Sequence, residues 1–298
     1  MGGGDVSDVC GVVLAAGVGR RLRPLTELVP KALCPVGNVP LLDRALHRLA
    51  GLGLSGPADV AVNAAYLADQ VAAAARDRAH VSWERDGPLG TAGGVGRLKG
   101  WIGGRGALVT NADAYLADPG RDPGPDVAAL LDGWSGDSVR MLTLPMLPGE
   151  TGGFSGRRFA GCSLLPWRYV RHLPDRHGDL VGSVWRPAEA AGELELVGYG
   201  GVYVDTGTPA DYLRANLHAA DGQTLAEPSA TITGSAECCV LGAHVVVAGT
   251  AVRCVIWPGA EVRADERLSD AIRASGHVTV AADSMVPINP PAQPRSPR

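Results

Sequence analysis

Long apolar runs are missing from this sequence: no stretch approaches the roughly 18 apolar residues that a helix needs to cross a bilayer. The first eight residues have neither the basic flank nor the apolar core of a signal peptide. We therefore expect a cytoplasmic protein without a membrane partner. Its 298 residues, 46% of them apolar, are enough for a substantial core.

The sequence also lacks the cysteine and histidine spacings of metal-binding or disulfide-rich proteins. Its six cysteines form no CxxC pair, and neither HxxxH nor HExxH occurs. We expect the cysteines to be small buried hydrophobes in a reducing compartment. The net charge of −4 provides no broad basic surface, which argues against nucleic acid as a partner.

The first apolar run leads into a glycine-rich turn. Val9 to Leu14 predicts a buried strand, and Gly17-Val-Gly19 predicts a tight turn at its carboxyl end. Two glycines let backbone N–H groups approach an anion. Fixed positive charge follows at Arg20, Arg21, Arg23 and Lys31. Open α/β sheets bind ligands at this end of their strands, so we predict a phosphate-binding loop.

Lysine is scarce, which gives Lys31 particular weight. Of the 27 lysine and arginine residues, only Lys31 and Lys99 are lysines, so the solvated surface takes its cations from arginine. A lysine in a phosphate loop therefore indicates a functional role. The loop is not a dinucleotide fingerprint, because Leu22 stands at the third glycine position, and it is not a GxxxxGK[ST] loop.

Strands and helices alternate beyond this loop. We predict strands over 59–62, 80–83, 107–110 and 139–144, and helices over 41–51, 64–78, 125–134 and from the Gly90-Thr91 turn to near Trp101. The alternation predicts an α/β fold with a doubly wound, mostly parallel, Rossmann-like sheet. Residues 146–158 are rich in glycine and proline and are expected to form a shortened hairpin or a mobile loop.

Three turns offer polar groups at the ends of predicted elements. Small residues after Pro88 would let a flat ligand approach the amide N–H groups of the following helix. Asn111-Ala112-Asp113 follows a strand and could hold Mg²⁺ against phosphate oxygens, although Asn-x-Asp is also an ordinary turn signal. Asp205 ends another strand, with Thr208 as cap and Pro209 as first residue of the next helix.

The C-terminal part has a six-residue period. Val240, Val246 and Val252 recur at this spacing, and after a shift so do Ile256, Val262 and Leu268. This period predicts a short left-handed β-helix of two or three coils, with an ordinary β-rich tail as the alternative. The expected organisation is a flexible N-terminus at 1–8, a catalytic domain at 9–220, the β-helix at 229–282 and a disordered proline-rich tail at 287–298.

These motifs together resemble one family. The run from Leu14 to Leu42 is similar to LAAGxGxRLxPLTxxxPKxLxPVxxxPLL, a signature of the sugar-1-phosphate nucleotidyltransferases, or nucleoside-diphosphate-sugar pyrophosphorylases. The PLGTAG segment from Pro88 and the DTGTP segment from Asp205 are further matches. The resemblance implies a nucleotidyltransferase that transfers a nucleotidyl group from a nucleoside triphosphate to a sugar 1-phosphate and releases pyrophosphate.

The resemblance also implies roles for the matching residues. The candidate catalytic residues are Arg21, which would hold the triphosphate, Lys31, which would lie between the phosphates of both substrates, and Asp113. Asp113 and Asp205 would be the carboxylates on a catalytic Mg²⁺. The candidate nucleotide-binding residues are Leu14, Ala15, Ala16, Gly17, Gly19, Arg20, Arg21, Glu84, Pro88, Leu89, Gly90, Thr91 and Ala92. The candidate sugar-binding residues are Asn111, Gly161 and Asp205.

The base and the sugar are less clearly indicated. Glu84 stands where uridylyl- and thymidylyl-type relatives commonly have a glutamine, and a carboxylate could accept N1–H and N2–H of guanine. This favours GTP with mannose or heptose 1-phosphate. No glutamate-lysine pair precedes Phe159, and 179–182 contains no glutamate for a sugar hydroxyl.

Two alternatives therefore stay open. One is a uridylyl- or thymidylyltransferase acting on glucose 1-phosphate or N-acetylmuramate 1-phosphate. The other is a non-catalytic regulatory subunit that senses nucleotide sugars. A homo-oligomer is also left open.

Overall fold

The computed structural model describes residues 8–147, 149–274 and 278–282. The chain divides into two compact units. The first takes the described residues up to Val18 together with Leu42–Tyr203, and the second takes Gly19–Leu41 and the described residues from Val204 onward. The predicted flexible N-terminus and C-terminal tail lie outside the described residues, apart from Asp8. The other predicted domain boundaries stay a prediction.

A seven-stranded sheet forms the centre of the first unit. Its strands are, in chain order, β1 (Val9–Leu14), β2 (Val60–Ala64), β3 (His80–Trp83), β4 (Gly106–Asn111), β5 (Val139–Pro145), β6 (Arg157–Leu165) and β7 (Leu194–Gly198). Their order across the sheet is β7-β5-β6-β4-β1-β2-β3. Only β6 runs antiparallel to its neighbours. The predicted α/β fold with a mostly parallel sheet is confirmed.

Strand β1 is buried because it lies between two parallel neighbours and under a helix. Val12 pairs with Ala61 on one side and Val109 on the other. A Cβ at Gly11 would lie 2.8 Å from Leu49 Cδ1, so a larger residue there would require the Leu49 side chain to move. Parallel strands covered in this way are apolar throughout, which is why the uninterrupted run was readable from sequence.

Among the described residues, four helices are longer than two turns. They are α1 (Leu41–Gly51), α2 (Ala68–Ala75), α3 (Gly90–Arg97) and α4 (Pro209–Ala219). One-turn helices occur at Leu25–Leu28, Gly56–Asp59, Lys99–Ile102, Trp167–Val170 and Arg186–Ala190, and a π-helical turn occurs at Val181–Trp185. None of the helices in the described ranges has the length and apolarity to cross a bilayer.

Two helix predictions need correction. Helix α2 is shorter than predicted because β2 continues through Ala64, which pairs with Trp83. The helix predicted over 125–134 is wrong: only a 3₁₀ turn at Ala128–Leu130 forms. The Asp126 carboxylate instead accepts the backbone N–H of Gly124, a residue at φ 103°, and this local hydrogen bond competes with helix formation.

The β5–β6 connection forms the predicted hairpin. Phe154 and Arg157 exchange two backbone hydrogen bonds, at 2.7 and 2.9 Å, where the chain turns back into β6. Arg157 then fixes the two strands together, since its Nε donates to Thr143 Oγ1 at 2.7 Å.

Helix α4 organises the second unit. Its predicted cap is confirmed: Thr208 Oγ1 accepts the Asp211 N–H, and Pro209 is the first helical residue. Tyr212 is fully buried, donates its hydroxyl proton to the Pro35 carbonyl and accepts Trp257 Nε1–H at 3.0 Å. The helix thereby joins the antiparallel pair Pro35–Val36 and Val39–Pro40 to the C-terminal strands.

Short parallel strands stack in three sheets beyond α4. The first contains Leu225–Ala226, Val240–Leu241, Val255–Ile256 and Ala271–Arg273, to which Thr279–Ala281 adds antiparallel. The second contains Thr231–Ile232, Val246–Val247 and Glu261–Val262, and the third Ser235–Glu237, Thr250–Val252 and Arg267–Ser269.

The first half of the six-residue period holds at Val240, which is buried, but not at Val246. Val246 is exposed, whereas Leu241 and Val247 are buried and pair with Ile256 and Val262. The second series, which starts at Ile256, does pack in the core. The prediction is wrong at Val246 because valine stands on both faces of the strand at 246–247, and Val247 is the buried one.

Candidate active site

Hydrogen bonds to β2 and to the turn after β4 hold the start of the loop that follows β1. The Leu14 carbonyl accepts the Ala112 N–H at 3.0 Å, and Ala15 N–H donates to Asn63 Oδ1 at 2.6 Å. Ala15 and Ala16 are buried, whereas Gly17 is exposed and open space surrounds its Cβ position. The first part of the predicted phosphate loop is therefore fixed at its base and open at Gly17.

The rest of the predicted phosphate loop belongs to the second unit. Gly19 has φ 65° and its carbonyl accepts Thr26 Oγ1–H at 3.0 Å. A Cβ there would lie 2.8 Å from Thr26 Cγ2 and 3.2 Å from Lys31 Cβ. Both the backbone angle and this packing require glycine. The exposed Arg20 and Arg21 follow directly.

Three predicted site residues come together in the second unit. Lys31 Nζ lies 3.2 Å from Asp205 Oδ1, and Arg21 Nη2 lies 3.4 Å from Asp205 Oδ2. The Lys31 side chain is 8% exposed, against 48% for Asp205 and 67% for Arg21. A buried ammonium group thus reaches a half-exposed carboxylate, with an exposed guanidinium on its other oxygen. The three residues therefore offer positive charge to a phosphate and negative charge to a cation.

The Glu84 carboxylate is buried and already accepts hydrogen bonds from the protein. It is 2% exposed, and both carboxylate oxygens have protein donors. Asn63 Nδ2 donates to Oε1 at 2.7 Å, and Leu89 N–H donates to Oε2 at 2.8 Å. These contacts hold the loop before α3, while direct contact with a base stays a prediction.

The small residues of α3 have packing partners that the sequence did not reveal. Cβ atoms at Gly90, Gly93 and Gly96 would lie 2.4, 2.3 and 2.2 Å from the carbonyl oxygens of Gly178, Arg176 and Pro174. Their spacing of three residues places them on one helix face. This face packs against backbone, so the glycines have a structural requirement as well, while the predicted approach of a ligand stays a prediction.

The segment 174–180 also ties down the residues that begin α3. Ala92 N–H donates to the Gly178 carbonyl at 3.0 Å, and Leu180 N–H donates to Thr91 Oγ1 at 2.8 Å. Gly178 N–H in turn donates to the Leu89 carbonyl at 3.0 Å. Pro88 is exposed, Leu89, Gly90 and Thr91 are partly exposed, and Ala92 is buried.

Asp113 lies in the turn that follows β4, and a backbone hydrogen bond joins this turn to Leu14, where the phosphate loop begins. Asn111 is the last residue of β4, and the adjacent Ala112 donates to the Leu14 carbonyl. Asn111 and Asp113 both keep partly exposed surface. In the described part of the chain, no three histidine, cysteine, aspartate or glutamate side chains gather as a metal site.

Gly161 has a structural requirement for glycine. Its φ is 80°, and a Cβ there would lie 2.7 Å from the Ala114 Cβ and 3.3 Å from Tyr203 Cε2. Its predicted contact with the sugar stays a prediction. Sequence reasoning missed Asn63 and the segment 174–180. The signal for Asn63 was a single amide in the otherwise apolar strand β2.

Comparisons with known proteins find nucleotidyltransferases similar to this chain. Residues 11–121 match the family described as MobA-like NTP transferase domain. A mannose-1-phosphate guanylyltransferase from Mycobacterium tuberculosis is 25% identical over 89% of this chain and 79% of its own length. An N-acetylmuramate alpha-1-phosphate uridylyltransferase from Neisseria meningitidis serogroup B is 37% identical over 34% of this chain and 46% of its own length.

A solved structure supports the fold. A Bacillus anthracis chain whose description names glucose-1-phosphate thymidylyltransferase has a TM-score of 0.58 and 19% identity, over 72% of this chain and 96% of that one. Residues 11–121 are therefore similar to a MobA-like NTP transferase domain, and most of the chain is similar to a mannose-1-phosphate guanylyltransferase.

Proposed function

We propose that this protein transfers a nucleotidyl group from a nucleoside triphosphate to a sugar 1-phosphate and releases pyrophosphate. The nucleotidyltransferase class is supported by the relatives and by the matched domain. The observation that carries the proposal is the placement of Lys31. One of only two lysines in the chain, it is nearly buried and directed at Asp205, beside Arg21.

The proposed chemistry needs positioning more than proton transfer. The phosphate oxygen of the sugar 1-phosphate is already ionised at neutral pH, so it can attack the α-phosphorus without a protein base. The barrier is the approach of two anions and the charge that develops on the transferring group. We assign Lys31 to the charge between the two substrates' phosphates and Arg21 to the triphosphate. Ion pairing to Asp205 keeps the Lys31 ammonium group in place.

Relatives of this kind generally use a divalent metal, and we propose Mg²⁺. The donor set fits: the carboxylates of Asp113 and Asp205 are hard oxygen ligands, and the Asp205 side chain is half exposed. We propose these two residues as the metal-binding carboxylates. When bound, the ion would neutralise charge on the phosphate oxygens.

For the base and sugar we propose GTP with mannose or heptose 1-phosphate. The guanylyltransferase relative matches over 89% of this chain, including part of the C-terminal strands, whereas the uridylyltransferase relative matches over 34%. The alternative, uridylyl or thymidylyl transfer to glucose or N-acetylmuramate 1-phosphate, is favoured by the higher identity of that shorter match. We also propose that the stacked C-terminal strands are a left-handed β-helix and that the protein acts in the cytoplasm.

The test is pyrophosphate release by the purified protein with Mg²⁺. GTP, UTP, dTTP, ATP and CTP are each combined with mannose, glucose, heptose and N-acetylated sugar 1-phosphates. The proposal expects GTP with mannose or heptose 1-phosphate to dominate. If UTP or dTTP with one of the sugar phosphates dominated, the alternative, uridylyl or thymidylyl transfer, would be favoured. Tight binding of a nucleotide sugar without turnover of any pair would favour the sensing subunit.

A further inference from the structure

A chain of three hydrogen bonds, two buried and one partly buried, connects the two loops of the first unit that are assigned to the nucleotide. Ala15 N–H donates to Asn63 Oδ1 at 2.6 Å, Asn63 Nδ2 donates to Glu84 Oε1 at 2.7 Å, and Leu89 N–H donates to Glu84 Oε2 at 2.8 Å. Ala15 begins the loop after β1, and Leu89 immediately precedes α3. The side chains of Asn63 and Glu84 therefore form a continuous path that joins one loop to the other.

This pair is buried and tightly enclosed. Asn63 and Glu84 are each 2% exposed. A Cβ at Gly94 would lie 2.6 Å from Asn63 Nδ2 and 3.1 Å from Glu84 Oε1, so α3 leaves no space for a side chain above them. Burying a carboxylate in this way is costly unless hydrogen bonds satisfy it. The two donors from Asn63 and Leu89 supply those bonds.

We propose that Asn63 and Glu84 are positioning residues for the nucleotide. They fix the spacing of the Ala15–Gly17 loop, assigned to phosphate, and the Pro88–Gly90 loop, assigned to the nucleoside, without touching the nucleotide themselves. This inference rests on the proposed function for its kinetic readout. In this proposal the Glu84 carboxylate does not contact the base. It acts on the Pro88–Gly90 loop through the hydrogen bond that it accepts from Leu89 N–H.

The hydrogen-bonding pattern allows a sharp test, because it can be broken by one change and rebuilt by two. In Glu84→Gln, one amide N–H group faces another donor, either Asn63 Nδ2 or Leu89 N–H. In Asn63→Asp, two carboxylates face each other. In the double variant N63D/E84Q, the new carboxylate at position 63 accepts from Ala15 and from the new amide at position 84. The carbonyl oxygen of that amide accepts from Leu89. Every donor again has an acceptor, and the charge has moved to position 63.

The kinetic experiment measures kcat and KM for the nucleoside triphosphate in the wild type, both single variants and the double variant. We expect KM to rise at least about tenfold in each single variant with a smaller change in kcat, and to return to within about threefold of wild type in the double variant. Melting temperatures establish that all four proteins are folded. Unchanged KM in both single variants would overturn the proposal. A double variant no better than the singles, with an altered preference between GTP and UTP, would show direct base contact instead.

Hydrogen exchange provides a readout that does not need turnover. The Ala15 and Leu89 amides should exchange slowly in the wild type, at least about tenfold faster in the single variants, and slowly again in the double variant. Fast exchange of both amides in the wild type would overturn the inference. If the wild type turned over no substrate pair, the proposed function would fail, while restored protection in the double variant would still support the link between the loops.

Discussion

Lys31 and Asp205 are 174 residues apart in the chain, yet Lys31 Nζ lies 3.2 Å from Asp205 Oδ1. The 3₁₀ turn that begins at Lys31 and the strand that ends at Asp205 bring the two groups together. Because the lysine side chain is nearly buried and the aspartate side chain is half exposed, the carboxylate is the more accessible group of this ion pair.

Replacing Lys31 should remove activity and leave the fold intact. Lys31→Met keeps the length of the side chain but removes the charge, so we expect kcat/KM to fall at least about 10³-fold, or ~4 kcal/mol of transition-state stabilisation. The other lysine provides the matched control: Lys99→Met should keep wild-type kinetics. Near-normal activity of Lys31→Met would refute the role assigned to this residue.

Arg21 should contribute mainly to substrate affinity. Its guanidinium is 67% exposed and meets Asp205 at 3.4 Å, so Arg21→Ala should raise KM for the triphosphate about tenfold with little change in melting temperature. Arg23→Ala is the control, since Arg23 lies in an exposed pair with Glu27 at 3.7 Å. Equal effects of the two substitutions would argue for general surface charge rather than a specific contact.

Asp113 should be required for turnover. Asp113→Asn retains the shape of the side chain but weakens it as a cation ligand, and we expect roughly a hundredfold loss of kcat or more, partly recovered at high Mg²⁺. The neighbouring carboxylate Asp118, whose Oδ1 accepts the Gly120 N–H in an exposed turn, gives the control Asp118→Asn. An unchanged Mg²⁺ dependence in Asp113→Asn would contradict the metal assignment.

A buried ion pair should govern the stability of the first unit. Arg48 Nε lies 3.1 Å from both Asp126 oxygens, Tyr199 donates to the same carboxylate, and both charged side chains are nearly inaccessible. Asp126→Ala leaves the guanidinium buried without its anion, so urea unfolding should show a loss of about 3–5 kcal/mol. Breaking the exposed Arg78–Asp43 pair with Asp43→Ala should cost under about 1 kcal/mol. Similar losses of unfolding free energy in Asp126→Ala and Asp43→Ala would contradict the prediction.

The cysteines should differ in reactivity as their burial dictates. Burial raises the pKa of Cys10 and of Cys34 to about 12, so few of these thiols are ionised at pH 8. Cys238 is only half-buried and should be alkylated first by iodoacetamide. Since unfolded thiols ionise near pH 9 and the buried ones do not, stability should fall as the pH rises above about 9. Labelling of Cys10 as fast as Cys238 at pH 8 would contradict the prediction.

Features that depend on local sequence were predictable. Strands β1 and β3 have the predicted bounds, and Thr208 caps α4 as expected, because apolar runs and capping residues act within a few positions of themselves. The grouping of Arg21, Lys31 and Asp205 followed from motifs rather than from local pattern.

Features that depend on distant partners were not predictable. The sequence predicts the Glu84 carboxylate as an acceptor for a base, but not that its Oε1 accepts from Asn63 Nδ2, 21 residues away. The glycines of α3 suggest space for a ligand, yet Gly93 instead meets the Arg176 backbone. Periodicity carries no information about such contacts, which the topology of the sheet creates.

The most direct test of the central claim follows individual phosphates of the triphosphate. Wild-type protein with Mg²⁺, mannose 1-phosphate and GTP labelled with ³²P at the α position should move the label into a nucleotide sugar, and label at the γ position should leave as pyrophosphate. Release of γ-labelled inorganic phosphate with the α label retained in GDP would contradict nucleotidyl transfer.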